Sequence, residues 1–273
     1  MSRDISFVVE RNRVLVPTGE PCPFACKYCY TRSGEVGPPR INVEEILKQF
    51  HAFATQRTFE TIQLGYDGDP FARPERGIEL LWGLVRAGKN INFSTKALIT
   101  GLTINELADI QAIMARHRNI LSALISLSCW ESAESLELHT PSPAERMITI
   151  QNLKSIKVPT FISVRPILPN VQDSEYERII KEGIQAGCDG FILGPLYSDA
   201  KGRFTRFIAP DILNKVSFTK RKVSWSPHSP EWTRYEDEGR RERLAVLIEK
   251  GGGNVFTSSA DAVHEFAMIE ARV

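Results

Sequence analysis

Short apolar runs alternate with longer amphipathic stretches over the first two thirds of the chain. The runs predict buried strands at 13–16, 61–64, 91–94, 120–127, 160–165 and 190–193. Between them, apolar residues recur every three or four positions and predict helices at 43–55, 75–87, 103–117, 142–156 and 175–186. Two of these helices begin with a capping-box pattern, Thr103 with Glu106 and Ser142 with Glu145.

The alternation of strands and helices predicts an α/β fold. Parallel strands with helices outside are expected, because a parallel crossover needs a dozen or so residues. About six such units form a partial barrel rather than a closed eight-stranded one, and an open doubly wound sheet fits the pattern nearly as well. Both architectures place the active site at the carboxyl ends of the strands, so the residues that follow each strand are the functional candidates.

The regular alternation ends after Tyr197. The pattern beyond it predicts a heavily charged helix at 231–250 that stops at Gly251, then a strand at 254–257 and a last helix at 259–271. We expect residues 199–273 to form a C-terminal α/β extension that packs on residues 1–198, rather than a domain of its own.

The composition is ordinary for a soluble globular protein, with 42% hydrophobic and 25% charged residues among 273. The net charge of +1 gives no general attraction to nucleic acid or membranes. No apolar run approaches the roughly 20 residues that span a bilayer, and the N-terminus lacks the apolar core of a signal peptide. Five unevenly placed cysteines argue against a secreted disulfide framework. We therefore expect a cytoplasmic protein that does not bind membranes.

Three of the cysteines, Cys22, Cys26 and Cys29, lie close together after the first predicted strand. Pro21 and Pro23 oppose helix formation there, so an irregular loop is expected, and a loop can wrap several thiolates around one inorganic centre. A structural zinc ion would need a fourth ligand. The next histidine, His51, lies within the predicted helix at 43–55, but a zinc-stabilised binding module without catalytic activity remains an alternative.

The spacing Cys-x3-Cys-x2-Cys, with Tyr28 before the last cysteine, resembles the signature of the radical S-adenosylmethionine (radical SAM) superfamily. The resemblance implies a partial (β/α)6 TIM-type barrel over residues 1–198. It also implies that Cys22, Cys26 and Cys29, in a loop over 17–41, hold a [4Fe–4S] cluster whose fourth iron binds S-adenosylmethionine. Reductive cleavage of that cofactor would give a 5′-deoxyadenosyl radical, which abstracts hydrogen from the substrate.

Three further segments resemble the spore photoproduct lyase-like branch of that superfamily: Thr95-Lys96, Pro141-Ser142-Pro143 and Pro166-Ile167-Leu168-Pro169. This resemblance implies a lyase that acts on a nucleotide or DNA lesion, and a reductant such as flavodoxin or ferredoxin. Basic and aromatic residues are interleaved between 201 and 225, as in nucleic-acid-binding surfaces. The alternative is a radical SAM enzyme that acts on a small molecule or peptide.

The family resemblance also assigns cofactor contacts. Tyr28 is expected to pack near the adenine, or else to serve loop packing. The stretch from Gly65 to Asp69 replaces the family's Gly-Gly-Glu motif, so Asp67 or Asp69 is expected to accept from the methionyl ammonium. Lys96 is expected to meet the methionyl carboxylate. Ser126 and Ser128, which alternation places on one side of a strand end, resemble ribose contacts.

Two more residues stand at strand ends. Arg165 is the best-placed anion binder, because a guanidinium on a rigid strand end pairs with carboxylate or phosphate, although a structural ion pair fits equally. Cys129 is a candidate hydrogen-atom donor, as the lyase branch uses a cysteine outside the cluster, and a buried structural thiol is its alternative. Glu137 and Arg146 are weaker candidates for contact with cofactor or substrate, and Cys188 is expected to be a packing residue.

Overall fold

The computed structural model describes residues 5–32, 40–223, 225 and 231–270. The strands are β1 (Val8–Glu10), β2 (Arg13–Val16), β3 (Ala25–Cys26), β4 (Thr61–Leu64), β5 (Asn90–Thr95), β6 (Leu121–Ser126), β7 (Glu137–Leu138), β8 (Thr160–Val164), β9 (Gly190–Leu193), β10 (Leu196–Asp199), β11 (Ser217–Arg221), β12 (Trp232–Glu236) and β13 (Val255–Phe256). The helices are α1 (Val43–Ala54), α2 (Pro74–Val85), α3 (Leu102–Arg116), α4 (Ala133–Leu136), α5 (Pro143–Ser155), α6 (Asp173–Gln185), α7 (Pro210–Leu213), α8 (Glu238–Lys250) and α9 (Ser259–Glu270).

The main sheet has the strand order β1-β2-β4-β5-β6-β8-β9-β13, and its strands are parallel except for β1 against β2. From β2 to β9 each strand of this sheet lies beside the strand of the same sheet that precedes it in the chain. The order never reverses, as it would at the switch point of a doubly wound sheet. The predicted partial (β/α)6 TIM-type barrel is therefore confirmed over the doubly wound alternative.

The two faces of the sheet carry different neighbours. Ile162 and Phe191 lie under α6, so closely that a Cβ on Gly183 would come within 2.2 Å of the Ile162 side chain. Their chain neighbours Phe161 and Ile192 point the other way and form a separate apolar cluster with Leu124, Phe256 and Ala262, against which Phe266 packs. Helix α9 thus packs against the face of the sheet opposite α6.

The C-terminal part contains β10, α7 and β11, for which the sequence predicted no element, and one predicted helix differs. Residues 232–236 form a strand, not the start of a helix, and α8 begins at Glu238 with Asp237 as its cap, the side chain accepting from the Arg240 amide at 2.9 Å. Strand β12 is the centre of a three-stranded antiparallel sheet, β10-β12-β11. Trp232, Thr233 and Tyr235 favour a strand, but the charged residues around them suggested an exposed helix from the sequence. The predicted boundary at residue 198 falls within β10. Both this boundary and the expectation that residues 199–273 are an extension rather than a separate domain stay predictions.

Residues 33–39 of the predicted loop 17–41 and residue 271 of the last predicted helix lie outside the described residues. Within the described part of the chain, no helix has the length and hydropathy needed to cross a lipid bilayer.

Candidate active site

The cysteine loop is fastened to the barrel through a short antiparallel ladder. Strand β3 pairs with β7, which follows β6 in the chain, and this places Cys26 opposite Glu137. The Lys27 amide donates to the Leu136 carbonyl at 2.9 Å, and the Cys29 amide donates to the Cys26 carbonyl at 3.2 Å. The loop is therefore held at the carboxyl ends of the barrel strands, where an active site is expected.

The thiols of Cys22 and Cys26 are largely buried and lie near Cys29, and both conditions change their pKa values. Burial raises the pKa of Cys22 to about 11 and that of Cys26 to about 12, and the nearby Cys29 raises both. The Phe24 and Asp69 backbone amides donate to the Cys22 sulfur and oppose that rise in its pKa. A bound metal centre would supply the positive charge that keeps such thiols deprotonated.

These residues fit a polynuclear cluster. Amide hydrogen bonds to ligand sulfurs are among the features by which proteins tune iron–sulfur clusters. Among the described residues, no three His, Cys, Asp or Glu side chains come within reach of a single metal ion. A cluster of several irons does not require that, because each thiolate binds a different iron.

A buried carboxylate lies beside this loop. Glu137 has 0% side-chain exposure and accepts from Tyr28 Oη, from Lys96 Nζ at 2.8 Å and from the Arg146 guanidinium. Burial by itself would raise the pKa of Glu137, but the charges of Lys96 and Arg146 outweigh it and lower that pKa to about 2. The carboxylate is therefore ionised, as a buried charge with two cationic partners should be.

Lys96 and Tyr28 both belong to this network. Besides Glu137, the Lys96 ammonium donates to Tyr28 Oη at 3.1 Å and to the Ser126 carbonyl at 3.4 Å. It also lies 5.6 Å from the centre of the Tyr28 ring. All three N–H groups are thus directed at protein acceptors. The predicted roles of Lys96 at the methionyl carboxylate and of Tyr28 at the adenine stay predictions.

The loop after β4 is fixed by its own carboxylates. Gly65 has φ 92° and a Cβ there would lie 2.7 Å from the Ser94 carbonyl oxygen, so the close approach requires glycine. Asp67 accepts from the Thr18 amide at 2.9 Å. Asp69 accepts from the Lys96 amide at 2.5 Å and from Thr95 Oγ1 at 2.8 Å, which ties the β4 loop to the end of β5.

Burial raises the pKa of both carboxyls, that of Asp67 to about 6. The structure gives Asp67 and Asp69 clear roles in holding this loop. Their predicted contact with the methionyl ammonium stays a prediction.

The end of β6 and the loop after it carry three predicted site residues. The Ser126 carbonyl accepts from Arg146 at 3.0 Å, and Ser128 Oγ is buried without a hydrogen-bond partner in the described part of the chain. Cys129 has 0% exposure, and burial raises the pKa of its thiol strongly. Its predicted role as a hydrogen-atom donor stays a prediction.

Glu175, at the start of α6, holds that loop and was not singled out from the sequence. Its carboxylate accepts from the Trp130 amide at 2.8 Å, from the Ser132 amide at 2.9 Å and from Ser132 Oγ at 2.5 Å. A buried carboxylate whose partners are backbone amides leaves no sequence pattern, because the acceptor and its donors belong to different elements.

Arg165 follows β8 and is half-buried. Its side chain passes close to Gly194, where a Cβ would lie 2.6 Å from Arg165 Cγ. Burial and the nearby charge of Arg13 lower the pKa of Arg165 to about 10. A desolvated guanidinium of this kind is suited to an anionic ligand.

An aromatic cluster connects the cysteine loop to the three-stranded sheet. Trp225 packs against Tyr30 with ring centres 4.4 Å apart, against Trp232 at 4.7 Å and against Tyr197 at 5.8 Å. Tyr30 directly follows Cys29, so this aromatic wall, defined by Tyr30, Tyr197 and Trp225, begins at the predicted cluster ligands. The sequence indicated the aromatic segment between 201 and 225, which includes Trp225, but not Tyr30.

A family model described as Radical SAM superfamily matches residues 16–183. Uncharacterised proteins of Mycobacterium bovis and Mycobacterium tuberculosis are 25% identical to this chain over 255 residues, which covers 84% of it and 72% of each relative.

Solved structures resemble the whole fold. A cysteine-to-serine mutant of spore photoproduct lyase has a TM-score of 0.70 at 16% identity, covering 94% of this chain and 80% of its own. The lyase complexed with dinucleoside spore photoproduct has a TM-score of 0.65 at 14% identity, with 90% and 76% covered. SuiB of Streptococcus suis bound to S-adenosylmethionine has a TM-score of 0.61 at 13% identity, with 90% and 50% covered. At these identities the likeness concerns the fold.

Proposed function

Because the chain belongs to the radical SAM superfamily, as its cysteine spacing predicted, we propose that Cys22, Cys26 and Cys29 bind a [4Fe–4S] cluster at which S-adenosylmethionine is cleaved reductively. The chain is a radical SAM enzyme; the bound cluster, the substrate and the reductant belong to this proposal. The observation that carries it is the β3–β7 ladder, which holds the cysteine loop at the carboxyl ends of the parallel strands.

The cluster, when bound, supplies the electron that splits the cofactor into methionine and a 5′-deoxyadenosyl radical. The chain binds and orients the cofactor and the substrate, and it shields them from competing reactions. The three thiols and the amides that donate to Cys22 hold the cluster. Gly65, which has no Cβ, lets the backbone after β4 pass close to the Ser94 carbonyl. An electron has to arrive from outside, so a small electron-transfer protein such as flavodoxin or ferredoxin is the proposed reductant.

For the substrate, we infer a nucleotide or a DNA lesion. The aromatic wall offers stacking surfaces beside the cysteine loop, and Arg165 offers a desolvated cation for a phosphate. Strand β11 is exposed along its whole length and carries Lys220 and Arg221 beyond the wall. A protein of similar fold, spore photoproduct lyase, has been seen complexed with dinucleoside spore photoproduct, which supports this inference.

A small molecule or peptide is the second candidate. SuiB bound to its precursor peptide has a TM-score of 0.52 over 67% of this chain, so the same barrel type accommodates a peptide elsewhere. The net charge of +1 also gives no general attraction to polyanions. Local features such as the aromatic wall must therefore distinguish a nucleic-acid substrate from a small molecule or peptide. The predicted cytoplasmic location stays a prediction.

The test is anaerobic formation of 5′-deoxyadenosine. The full chain is reconstituted with iron and sulfide, reduced with dithionite and incubated with S-adenosylmethionine. We expect 5′-deoxyadenosine from the wild type and from Cys188→Ala, whose thiol lies outside the loop, and none from Cys26→Ala. Equal formation by Cys26→Ala would contradict the proposal.

A further inference from the structure

Glu137 joins three separate parts of the active-site rim. Its own strand β7 pairs with the cysteine loop, opposite Cys26. Its carboxylate binds Tyr28 of the same loop, Lys96 at the end of β5 and Arg146 in the first turns of α5. No role in cofactor or substrate binding is needed to explain these contacts.

The network carries an unbalanced charge. Glu137 is the acidic member, and Lys96 and Arg146 are both cationic, which leaves one positive charge in excess. The other acceptors of Arg146 are neutral: the Pro141 carbonyl at 2.8 Å, the Ser126 carbonyl at 3.0 Å and Thr140 Oγ1 at 2.8 Å. The side chain of Arg146 has 0% exposure, and that of Lys96 has 13%, so water screens little of this charge.

Cys26 lies within the field of all three groups. The charges of Lys96, Glu137 and Arg146 each act on its thiol. A metal centre bound by Cys26 would therefore experience a net positive charge from the protein at short range, in a medium of low effective dielectric constant.

We propose that Glu137 is a positioning residue that fixes Cys26 and Tyr28 against the barrel rim, and that its pairing with Lys96 and Arg146 sets the reduction potential of the cluster. This inference rests on the proposed function, because it requires the cluster on the three cysteines. Reduction adds one electron from the reductant and neither forms nor breaks a bond. Nearby positive charge favours the reduced, more negative state, and net charge is one determinant of iron–sulfur potentials.

The proposal makes opposite predictions for two variants of nearly unchanged shape. Glu137→Gln removes the negative charge, so the midpoint potential should become more positive. Lys96→Met removes a positive charge, so the potential should become more negative. Glu131→Gln is the matched control, since Glu131 forms an exposed ion pair with Arg178 at 2.7 Å on the protein surface, and its potential should equal that of the wild type.

The measurement is an anaerobic dithionite titration of each reconstituted full chain, without S-adenosylmethionine, followed by electron paramagnetic resonance. Iron content and far-ultraviolet circular dichroism are recorded for every variant. A folded Glu137→Gln chain that loses iron supports the positioning role, and Lys96→Met then decides the electrostatic role. Unchanged potentials in iron-loaded Glu137→Gln and Lys96→Met would overturn the inference. A wild type that binds no cluster would instead contradict the proposed function itself.

Discussion

Two carboxyls near the cysteine loop, one buried and one partly buried, show how neighbours decide the charge of a residue. Glu137 has two cationic partners and a pKa lowered to about 2, against the effect of its burial. Asp67 is held mainly by the Thr18 amide, and burial raises its pKa to about 6. The surroundings therefore favour the charged form of the carboxyl at Glu137 and disfavour it at Asp67.

This difference predicts a pH-dependent contribution to stability from Asp67. Its folded pKa of about 6 exceeds the ordinary value of 3.8, so the folded chain binds the proton more tightly than the unfolded chain. The contribution is full below about pH 4 and is lost as the pH rises through about 6. Asp67→Asn keeps the acceptor for Thr18 and should gain about 2–3 kcal/mol over the wild type between pH 4 and 7. Urea unfolding of both chains across this range measures it, and a constant difference would contradict the assignment.

At the residue scale, a local pattern indicates candidate ligands but not the contact networks around them. Cys22, Cys26 and Cys29 are adjacent in the chain, so their spacing alone indicates a shared centre. Lys96 was expected to meet the cofactor, yet its ammonium is directed at Glu137, Tyr28 and Ser126. Contacts of this kind depend on the packing of distant elements, which no local pattern contains.

At the scale of elements, the loops after the strands are held by carboxylates from other parts of the chain. Asp69 binds the end of β5, and Glu175 of α6 binds the loop after β6. The longer helices and strands were predictable from their periodicity. The two-residue strands β3 and β7 were not, because their pairing joins distant segments, and β12 was hidden among charged residues.

Loss of the Glu175 carboxylate should release the loop that contains Cys129. Glu175→Ala removes the acceptor for two backbone amides and one hydroxyl, which should destabilise the chain by about 2–3 kcal/mol. Cys129, with 0% exposure in the wild type, should then react faster with iodoacetamide. Mass spectrometry of the labelled peptide gives the rate.

The matched control for that prediction is Glu177→Ala, an exposed position on the same helix. It should leave the labelling rate at the wild-type level. Equal rates in Glu175→Ala and the wild type would show that the loop is held by other contacts.

At the scale of the whole molecule, C-terminal residues extend the main sheet, because β13 pairs with β9. The edges of the main sheet are β1 and β13, and side chains near β1 contact the start of α9, which follows β13: Arg13 Nη1 donates to Ser259 Oγ at 2.5 Å, and Arg11 lies 3.6 Å from Asp261. Helix α9 packs on Leu124, Phe161 and Ile192 of this sheet. The predicted packing of residues 199–273 as an extension on residues 1–198 stays a prediction, and the arrangement of these contacts could not be predicted, since it depends on how far the sheet closes.

The aromatic wall supports a prediction about substrate affinity. If a base stacks on Trp225, then Trp225→Ala should weaken binding of a short fluorescent single-stranded oligonucleotide by about 1–3 kcal/mol, the usual contribution of one stacked base. Fluorescence anisotropy at low salt measures this. Trp82→Ala, at a tryptophan of α2 that donates to Glu106 at 2.8 Å, is the control. Identical affinities of Trp225→Ala and the wild type would favour the small-molecule or peptide alternative.

The central claim is that the three loop cysteines hold one [4Fe–4S] cluster. The most direct test is the iron and acid-labile sulfide content of each anaerobically reconstituted chain. We predict about four irons per chain in the wild type and in Cys188→Ala, and loss of the cluster in Cys22→Ala, Cys26→Ala and Cys29→Ala. A full iron complement in any of these three variants, or zinc in place of iron in the wild type, would contradict the account.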